Sequence, residues 1–286
     1  MLLRVAETDE DQCDHRREVV LDGNERGGRC RGADDRGRDR AAEAAFKAWR
    51  ELVPSAPRAV TLNALVDDDG IEVGFAHVGD PDDGLAYLRE FSAAVGTPAA
   101  ERVEPMSYLE LQRMQDTPQG HENRRYWKGN YLRSLPDDAV DAILRRGTED
   151  GSGQHLPAVS VQAYGGAIAD VPDDATAFSH RDTFVEVVTA ARWVDPGEDT
   201  PRIAATRRCG GAIAEYASGV YVNALSDDGI EGVRRAYSPA KLARLTALKD
   251  HWDPENVFHL NHNIPPTGRQ AYLANPVDRG DPEPTG

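Results

Sequence analysis

The stretch from residue 221 to residue 266 constrains the fold more than any other part of this 286-residue chain. Its pattern predicts a short strand over residues 219–225, then an acidic turn, a helix, and an irregular arm that ends at Pro265-Pro266. Backbone N–H and C=O groups in an irregular arm have no ladder partners, so burial requires other groups to satisfy them. We therefore expect the arm to pack against another surface, because it alternates amides with apolar side chains: Asn256, Asn261 and Asn263 with Val257, Phe258, Leu260 and Ile264.

Upstream of this stretch, strand and helix patterns alternate, but hairpins join several of the strands. The turn DDDG separates two strand-like segments at residues 59–66 and 71–78, which is a strong hairpin signal. Further strands are predicted at residues 125–132, 159–171 and 183–194, and helices at residues 42–52, 82–95, 136–146, 200–217 and 239–253. The sequence predicts an α+β fold in which helices cover one face of an antiparallel sheet, followed by a C-terminal strand, helix and arm.

The chain is strongly acidic, and its composition limits its partners. The formal net charge is −16, and arginine carries nearly all the positive charge, since the lysines are only Lys47, Lys128, Lys241 and Lys249. Such a surface is typical of halophilic proteins, although the codon usage of a GC-rich genome is the alternative. No basic stripe is present to bind nucleic acid. No apolar run reaches the roughly 18 residues of a membrane span, and no signal peptide is recognisable, so we expect a cytoplasmic location without membrane contact.

The two ends of the chain differ from its middle. Residues 1–40 are dense in charge and glycine, and a segment of this kind cannot bury enough surface to offset its ordering entropy. We predict that this segment is disordered, or that it is not homologous to the rest because of a shifted reading frame. Residues 273–286 are predicted to be a disordered tail. Cys13, Cys30 and Cys209 form no CxxC pair and indicate neither zinc nor a disulfide framework.

Several motifs occur in an order that is known from one family. YVN at residues 221–223 is followed by AYSPAKLARLTALKDHWDPENVFHLNHNIPP, and looser motifs upstream are YWKGN at 126–130 and QAYGG at 162–166. Together they resemble berberine bridge enzyme-like oxidases, which are FAD-linked enzymes of the vanillyl-alcohol oxidase and p-cresol methylhydroxylase superfamily. The resemblance covers about residues 41–270. It implies a substrate-binding α+β domain over residues 41–215 and the family's C-terminal segment over residues 216–272.

FAD is the cofactor that this resemblance implies. In that family an N-terminal domain holds the ADP part of FAD, and this sequence has no counterpart of it. The chain also has no GxGxxG and no P-loop, and Gly165-Gly166 and Gly210-Gly211 are isolated pairs. We therefore expect an incomplete chain, whose FAD-binding domain would be supplied by a separate domain or chain.

Gln162 and Tyr164 are the first candidate site residues. On a strand, Ser160, Gln162 and Tyr164 point to one face. The resemblance places a substrate-facing Glu or Gln at position 162, near the flavin, so Gln162 is a candidate catalytic residue and Tyr164 a candidate substrate contact. An amide does not titrate in the useful range, so Gln162 would orient the substrate while another group takes the proton. A polar sheet face exposed to solvent is the alternative.

Tyr221 and Asn223 share a face of the predicted C-terminal strand, and the resemblance brings that face close to the flavin. Tyr221 is therefore a candidate base if its surroundings favour the phenolate. A core tyrosine with a satisfied hydroxyl is the alternative. Asn223, with Asn261 and Asn263 of the arm, is a candidate cofactor contact.

Other polar and aromatic residues favour structural roles. Trp127 is a candidate substrate platform, although a core position is commoner for such a residue. His180-Arg181 is better explained by loop capping or an ion pair with Asp182 than by catalysis. The histidines near the C-terminus match no metal-binding spacing, so no metal is expected: His251, His259 and His262.

Three hypotheses for function remain open. The first is an FAD-linked oxidoreductase that transfers hydride from a C–H of an alcohol, sugar or amine to the flavin, with dioxygen as the reoxidant. The second is a truncated, non-catalytic remnant that binds no FAD alone. The third is a small-molecule binding module that uses the same sheet face without flavin. Flavin absorbance of the purified protein separates the first from the second.

Overall fold

A computed structural model describes residues 40–113, 116 and 123–269 with their side chains, and the backbone alone of residues 2–9, 12–18 and 35–39. Its strands are β1 (Leu2–Asp9), β2 (Gln12–Glu18), β3 (Val60–Val66), β4 (Ile71–Val78), β5 (Arg102–Ser107), β6 (Arg124–Leu132), β7 (Ala158–Ala163) and β8 (Val185–Trp193). They form one sheet in the order β2-β5-β1-β4-β3-β7-β8-β6. β1 is parallel to β4 and β5, whereas the run from β4 to β6 is antiparallel throughout.

The helices begin and end where local sequence signals place them. They are α1 (Asp35–Leu52), α2 (Pro81–Val95), α3 (Tyr108–Arg113), α4 (Asp137–Arg145), α5 (Ala167–Asp170), α6 (Asp199–Ala214), α7 (Gly229–Ala236) and α8 (Pro239–Trp252). Asp80 caps α2 by accepting the amide of Asp82, and Ser238 caps α8 by accepting the amide of Lys241. Gly96 ends α2 at a φ of 88°, a conformation that side chains disfavour.

The core lies on one face of the sheet. Alternate residues of the neighbouring strands β7 and β8 point into it and are at most 1% exposed: Val159, Val161, Val185 and Val187. Helices cover this face with large side chains that are also fully buried: Phe46 and Trp49 of α1, Phe91 of α2, Ile143 of α4 and Ile213 of α6. The predicted fold class is confirmed: the domain is α+β, with helices over one face of a sheet that is antiparallel from β4 to β6.

A close contact of α6 with the sheet explains Gly210, the first glycine of the pair in that helix. A Cβ on Gly210 would lie 2.7 Å from the Cβ of Lys128, so only glycine allows the helix to approach β6 this closely. Asn130 of β6 donates a hydrogen bond to the Gly210 carbonyl at 3.3 Å. The helix thereby holds the outer strand of the sheet in place.

One predicted strand is absent and another is shorter than predicted. Residues 219–225 form no strand: Gly219 makes an isolated bridge with Tyr131, and the chain then turns through a 3-10 helix over Val222–Ala224. The strand predicted to end at residue 171 stops at Ala163, because Gly165 and Gly166 have φ values of 140° and 49° and turn the chain into α5. In both segments the β-branched residues favour a strand by local preference, but no neighbouring strand continues the ladder there.

We expected another surface to satisfy the backbone N–H and C=O groups of the C-terminal arm, but two side chains close in sequence bond to several of them. Asp253 accepts the amides of Val257 at 2.7 Å and Phe258 at 3.0 Å, and Lys249 donates to the Phe258 carbonyl at 2.6 Å. The end of the arm is buried at Pro265 and Pro266, as packing against another surface requires. Its middle is not packed, since Phe258 is 81% exposed. The same holds for Leu260 and Val257, which are 79% and 67% exposed.

The two ends of the chain are described only in part. Within residues 1–40, the backbone forms β1 and β2 and begins α1 at Asp35. For residues 10–11 and 19–34, and for the tail from residue 273, the expected disorder lies outside the described residues. Among the helices of the described part, none has the length and hydropathy of a membrane span.

Candidate active site

A row of polar side chains lies on the sheet face opposite the helices. Gln162 is paired in register with Asn63 of β3 and with Glu186 of β8, so the three side chains stand side by side. Ser160 and Gln162 are exposed, which agrees with the predicted strand face. Glu186 differs from them, because it is only 9% exposed.

Glu186 is the functional candidate that the sequence prediction missed. Tyr164 donates a hydrogen bond to its carboxylate at 2.7 Å, and the Tyr131 hydroxyl lies 3.4 Å from that of Tyr164. Burial raises the pKa of the Glu186 carboxyl, and the hydrogen bond from Tyr164 opposes this shift. Burial also raises the pKa values of Tyr131 and Tyr164, so both stay protonated donors. The sequence feature that could have identified Glu186 is its position as a single carboxylate in the apolar run VEVVTAARW.

Tyr221 and Asn223 join this row from the C-terminal segment. The ring of Tyr221 stacks on Tyr131 with a centroid distance of 6.5 Å, and it also contacts Phe178 at 6.0 Å. Asn223 donates its amide hydrogen to the Tyr221 hydroxyl oxygen at 2.8 Å. Although the predicted strand is absent, Tyr221, Asn223 and Tyr164 are therefore in one cluster around Tyr131.

Small residues let the C-terminal segment lie directly on β6. A Cβ on Gly129 would lie 2.4 Å from the Cβ of Ala224, and a Cβ on Gly219 would lie 2.2 Å from the His180 ring. His180 itself donates to the Arg235 carbonyl at 2.9 Å. This histidine fixes the loop to α7, while Asp182 pairs with Arg133 rather than with His180.

An ion network anchors the acidic turn that follows Tyr221 and Asn223. Asp227 accepts hydrogen bonds from Lys128 at 2.6 Å and Tyr126 at 2.6 Å, and it also pairs with Arg207. Burial acts against the charge of Asp227, but these donors outweigh it and lower the pKa of the carboxyl. The YWK motif thus places its lysine in a structural role, holding the C-terminal segment against the sheet.

The remaining candidates lie outside the cluster. Trp127 is on the same sheet face but four residues from Tyr131 along β6, or about 13 Å, and it lines a separate cleft. In the part of the chain that is described, Asn261 and Asn263 make no hydrogen bond. His262 between them donates to the Leu225 carbonyl at 3.2 Å, which ties the arm to the segment that carries Asn223.

The cluster residues fit the ring of a flavin better than its nucleotide half. Gln162 and Asn223 are exposed amides, which both donate and accept hydrogen bonds, as the polar edge of an isoalloxazine does. Tyr221 offers a flat aromatic surface beside them. Gly165-Gly166 lies between β7 and α5, but α5 has only four residues and is too short to hold a pyrophosphate at its N-terminus.

Comparisons with known proteins point to one class of enzyme. Residues 220–265 match the family model described as berberine and berberine like. The chain is 27% identical over 237 residues to the FAD-linked oxidoreductase YvdP of Bacillus subtilis, covering 79% of this chain and 51% of that protein. It is 33% identical over 217 residues to aclacinomycin-N/aclacinomycin-A oxidase of Streptomyces galilaeus, covering 66% of this chain and 39% of the oxidase. An aclacinomycin oxidoreductase structure has the same fold, with a TM-score of 0.70 at 21% identity over 88% of this chain and 55% of that one.

The resemblance predicted from the sequence is confirmed. This chain resembles berberine bridge enzyme-like FAD-linked oxidoreductases, and it spans about half the length of the curated relatives it matches, or less. FAD is the cofactor that this resemblance implies.

Proposed function

We propose that this chain supplies the substrate-binding face and the C-terminal segment of an FAD-linked oxidase. The substrate is a small molecule, an alcohol, sugar or amine, with a C–H beside its hydroxyl or amino group. The observation that carries the proposal is the polar row, in which Gln162 and Glu186 stand in register and Tyr221 and Asn223 pack beside them. Bound FAD would supply the oxidant that accepts a hydride from that C–H.

The side chains of the cluster have distinct tasks in this proposal. Gln162 has an exposed amide and no titratable group, so it orients the substrate hydroxyl or amine. Tyr221 is one candidate for the group that takes the substrate proton, with its oxygen held by Asn223. Glu186 is the other: Tyr164 would receive the substrate proton while passing its own to the carboxylate 2.7 Å away.

The nucleotide half of FAD needs a partner in this proposal. A separate FAD-binding domain or chain would hold the ADP part, and Asn261 and Asn263 would contact the cofactor from the arm. A small-molecule binding module without flavin is the second candidate function, and the separate cleft beside Trp127 favours it.

Flavin binding by the whole purified chain tests the proposal. We expect added FAD to bind weakly at equilibrium, with its fluorescence quenched, because only the flavin half would contact this chain. Asn223→Ala should weaken the affinity roughly fivefold, as the loss of one hydrogen bond would. Gln154→Ala is the matched control, because it removes an exposed amide in a loop away from the cluster.

Two results would count against the proposal. A chain that retains no FAD at millimolar concentrations would favour a non-catalytic remnant or a flavin-free binding module. Equal FAD affinity in wild type and Asn223→Ala would remove Asn223 from the cofactor site.

A further inference from the structure

Large apolar side chains are exposed around the end of α8 and in the arm that follows it. Leu248 and Trp252 lie one turn apart on α8 and are 48% and 78% exposed. Val257, Phe258 and Leu260 follow in the arm and are 67%, 81% and 79% exposed. We call these five residues the apolar patch. Single exposed apolar side chains are ordinary, but a group of this size with two aromatic rings marks an interaction surface.

The apolar patch is held in a fixed shape. Lys249 donates to the Phe258 carbonyl at 2.6 Å, and Asp253 accepts the amides of Val257 and Phe258. The side chains of Lys249 and Asp253 are only 13% and 11% exposed, so this ion pair is largely shielded from water. The arm therefore folds back on the last turn of α8 and presents Phe258 on an ordered turn. A partner that covers Phe258 does not have to order this backbone first.

The charge of the chain disfavours a second copy as the cover of the apolar patch. Each chain has a formal net charge of −16, so two copies repel each other. Asp250 and Glu255 flank the patch, and both are exposed. Asp250 accepts hydrogen bonds from the amide and hydroxyl of Thr267 at 2.7 Å, and these neutral donors do not balance its charge. Two copies that met at the patch would bring these carboxylates together.

The relatives indicate a different cover. The apolar patch lies within residues 220–265, which match the berberine-like family model. The relatives are longer proteins, since this chain spans 51% of YvdP and 39% of the aclacinomycin oxidase. YvdP is described as an FAD-linked oxidoreductase, whereas the candidate site in this chain fits only the flavin ring. The part of the relatives outside the match is therefore the partner that both needs a docking surface and supplies a nucleotide site.

We propose that the apolar patch docks a protein module that holds the nucleotide half of FAD, of the kind that the relatives carry outside the matched part. This inference rests on the proposed function. Phe258 is the anchor, because an aromatic ring that protrudes from an ordered turn fills a pocket at a low cost in conformational entropy. Asn261 and Asn263 directly follow the patch, so a module docked there lies beside the proposed cofactor contacts of the arm.

Co-expression tests this docking surface. The whole chain, with an affinity tag, is produced together with the part of YvdP outside the matched 237 residues, and separately with the corresponding part of the aclacinomycin oxidase. We expect at least one of these parts to co-purify with the chain in a complex that contains FAD.

Two matched substitutions then locate the contact. Phe258→Ser should weaken the complex roughly tenfold in a binding titration, as the loss of an interface anchor does. Leu109→Ser is the control, because Leu109 is 62% exposed on α3, which follows β5 near the opposite edge of the sheet from β6. This control should leave the affinity unaltered.

Several results would overturn the docking proposal. They are no co-purification with either part, the same affinity in the wild type and Phe258→Ser, and equal losses in Phe258→Ser and Leu109→Ser. Sedimentation of the whole chain alone adds a further test, since a dimer that Phe258→Ser converts into monomers would make a second copy the cover. Failure of docking differs from failure of the proposed function. If the chain alone still quenches FAD fluorescence and Asn223→Ala weakens that binding, the oxidase proposal stands without this surface.

Discussion

The two faces of the central sheet come from alternate residues of the same strands, yet they differ in what they bury. On the helix-covered face, β7 and β8 contribute Val159, Val161, Val185 and Val187. On the open face the same strands contribute Ser160, Gln162 and Glu186. The first face buries hydrocarbon, whereas the second buries a carboxylate beside the residues that we propose for the chemistry.

The faces also differ in how they treat buried polar atoms. On the helix-covered side, the Tyr87 hydroxyl and the Trp49 indole nitrogen are buried without a partner among the described residues. On the open side, the buried Glu186 receives the Tyr164 hydroxyl. Packing tolerates a few unpaired neutral groups, but a buried carboxylate requires a donor. The four predictions that follow test this contrast, from the largest expected effect to the smallest.

The helix-covered face should lose the most stability on truncation. Phe75 of β4 is fully buried against Tyr87 and Phe91, with ring centroids 4.7 and 5.1 Å away. Phe75→Ala should lower the free energy of unfolding by roughly 3–5 kcal/mol in urea titrations. Ser160→Ala on the open face is the control, with an expected change within about 0.5 kcal/mol. Comparable losses in the two variants would show that the faces are not distinct.

A pair of matched tyrosine substitutions tests the difference in polar satisfaction. Tyr164→Phe removes the donor to Glu186 and should cost about 1–3 kcal/mol of unfolding free energy. Tyr87→Phe removes a buried hydroxyl without a partner, so it should be neutral or stabilising. Both substitutions delete one oxygen atom, so the two changes in unfolding free energy can be compared directly. A larger loss of unfolding free energy in Tyr87→Phe than in Tyr164→Phe would contradict the assignment of Tyr164 as the donor to Glu186.

Glu186 should make stability depend on pH. Its pKa is raised above 4.5 in the folded state, so between the unfolded and folded values the folded chain binds more protons. Stability therefore falls as pH rises through that window, and the loss is complete above the folded pKa. Glu186→Gln should abolish this component. Urea titrations of the wild type and Glu186→Gln from about pH 4 to about pH 8 would measure the free energy of unfolding at each pH. The same pH dependence in both proteins would contradict the raised pKa of Glu186.

The exposed arm should matter least to folding. Phe258→Ser should change the free energy of unfolding by less than about 0.5 kcal/mol, because Phe258 is 81% exposed. Chemical denaturation measures this directly. A loss above about 1 kcal/mol would mean that the arm packs on the domain in solution.

The sequence predicted the elements that have strong local signals. The β3–β4 hairpin follows from its DDDG turn, and the ends of α2 and α8 follow from Asp80, Gly96 and Ser238. The strand at residues 219–225 failed because alternating residues report only local preference. Whether a ladder forms depends on a neighbour, and the edge of β6 accepts this segment only at Tyr131.

The candidate site was predicted in part for a similar reason. Gln162, Tyr164, Tyr221 and Asn223 came from motif resemblance, and the structure brings them together. Glu186 was missed because its importance lies in burial and in its contact with Tyr164, which is distant in sequence. Trp127, a candidate substrate platform with a core position as the alternative, lines a different cleft. The roles of all these residues stay predictions.

Hydrogen exchange with and without saturating FAD tests most directly whether the open face contacts the flavin. We predict slower amide exchange at residues 221–225 and along β7 when FAD is present, with no change in α1 and α2 on the opposite face. Unchanged exchange at residues 221–225, or protection confined to the helices, would contradict the account.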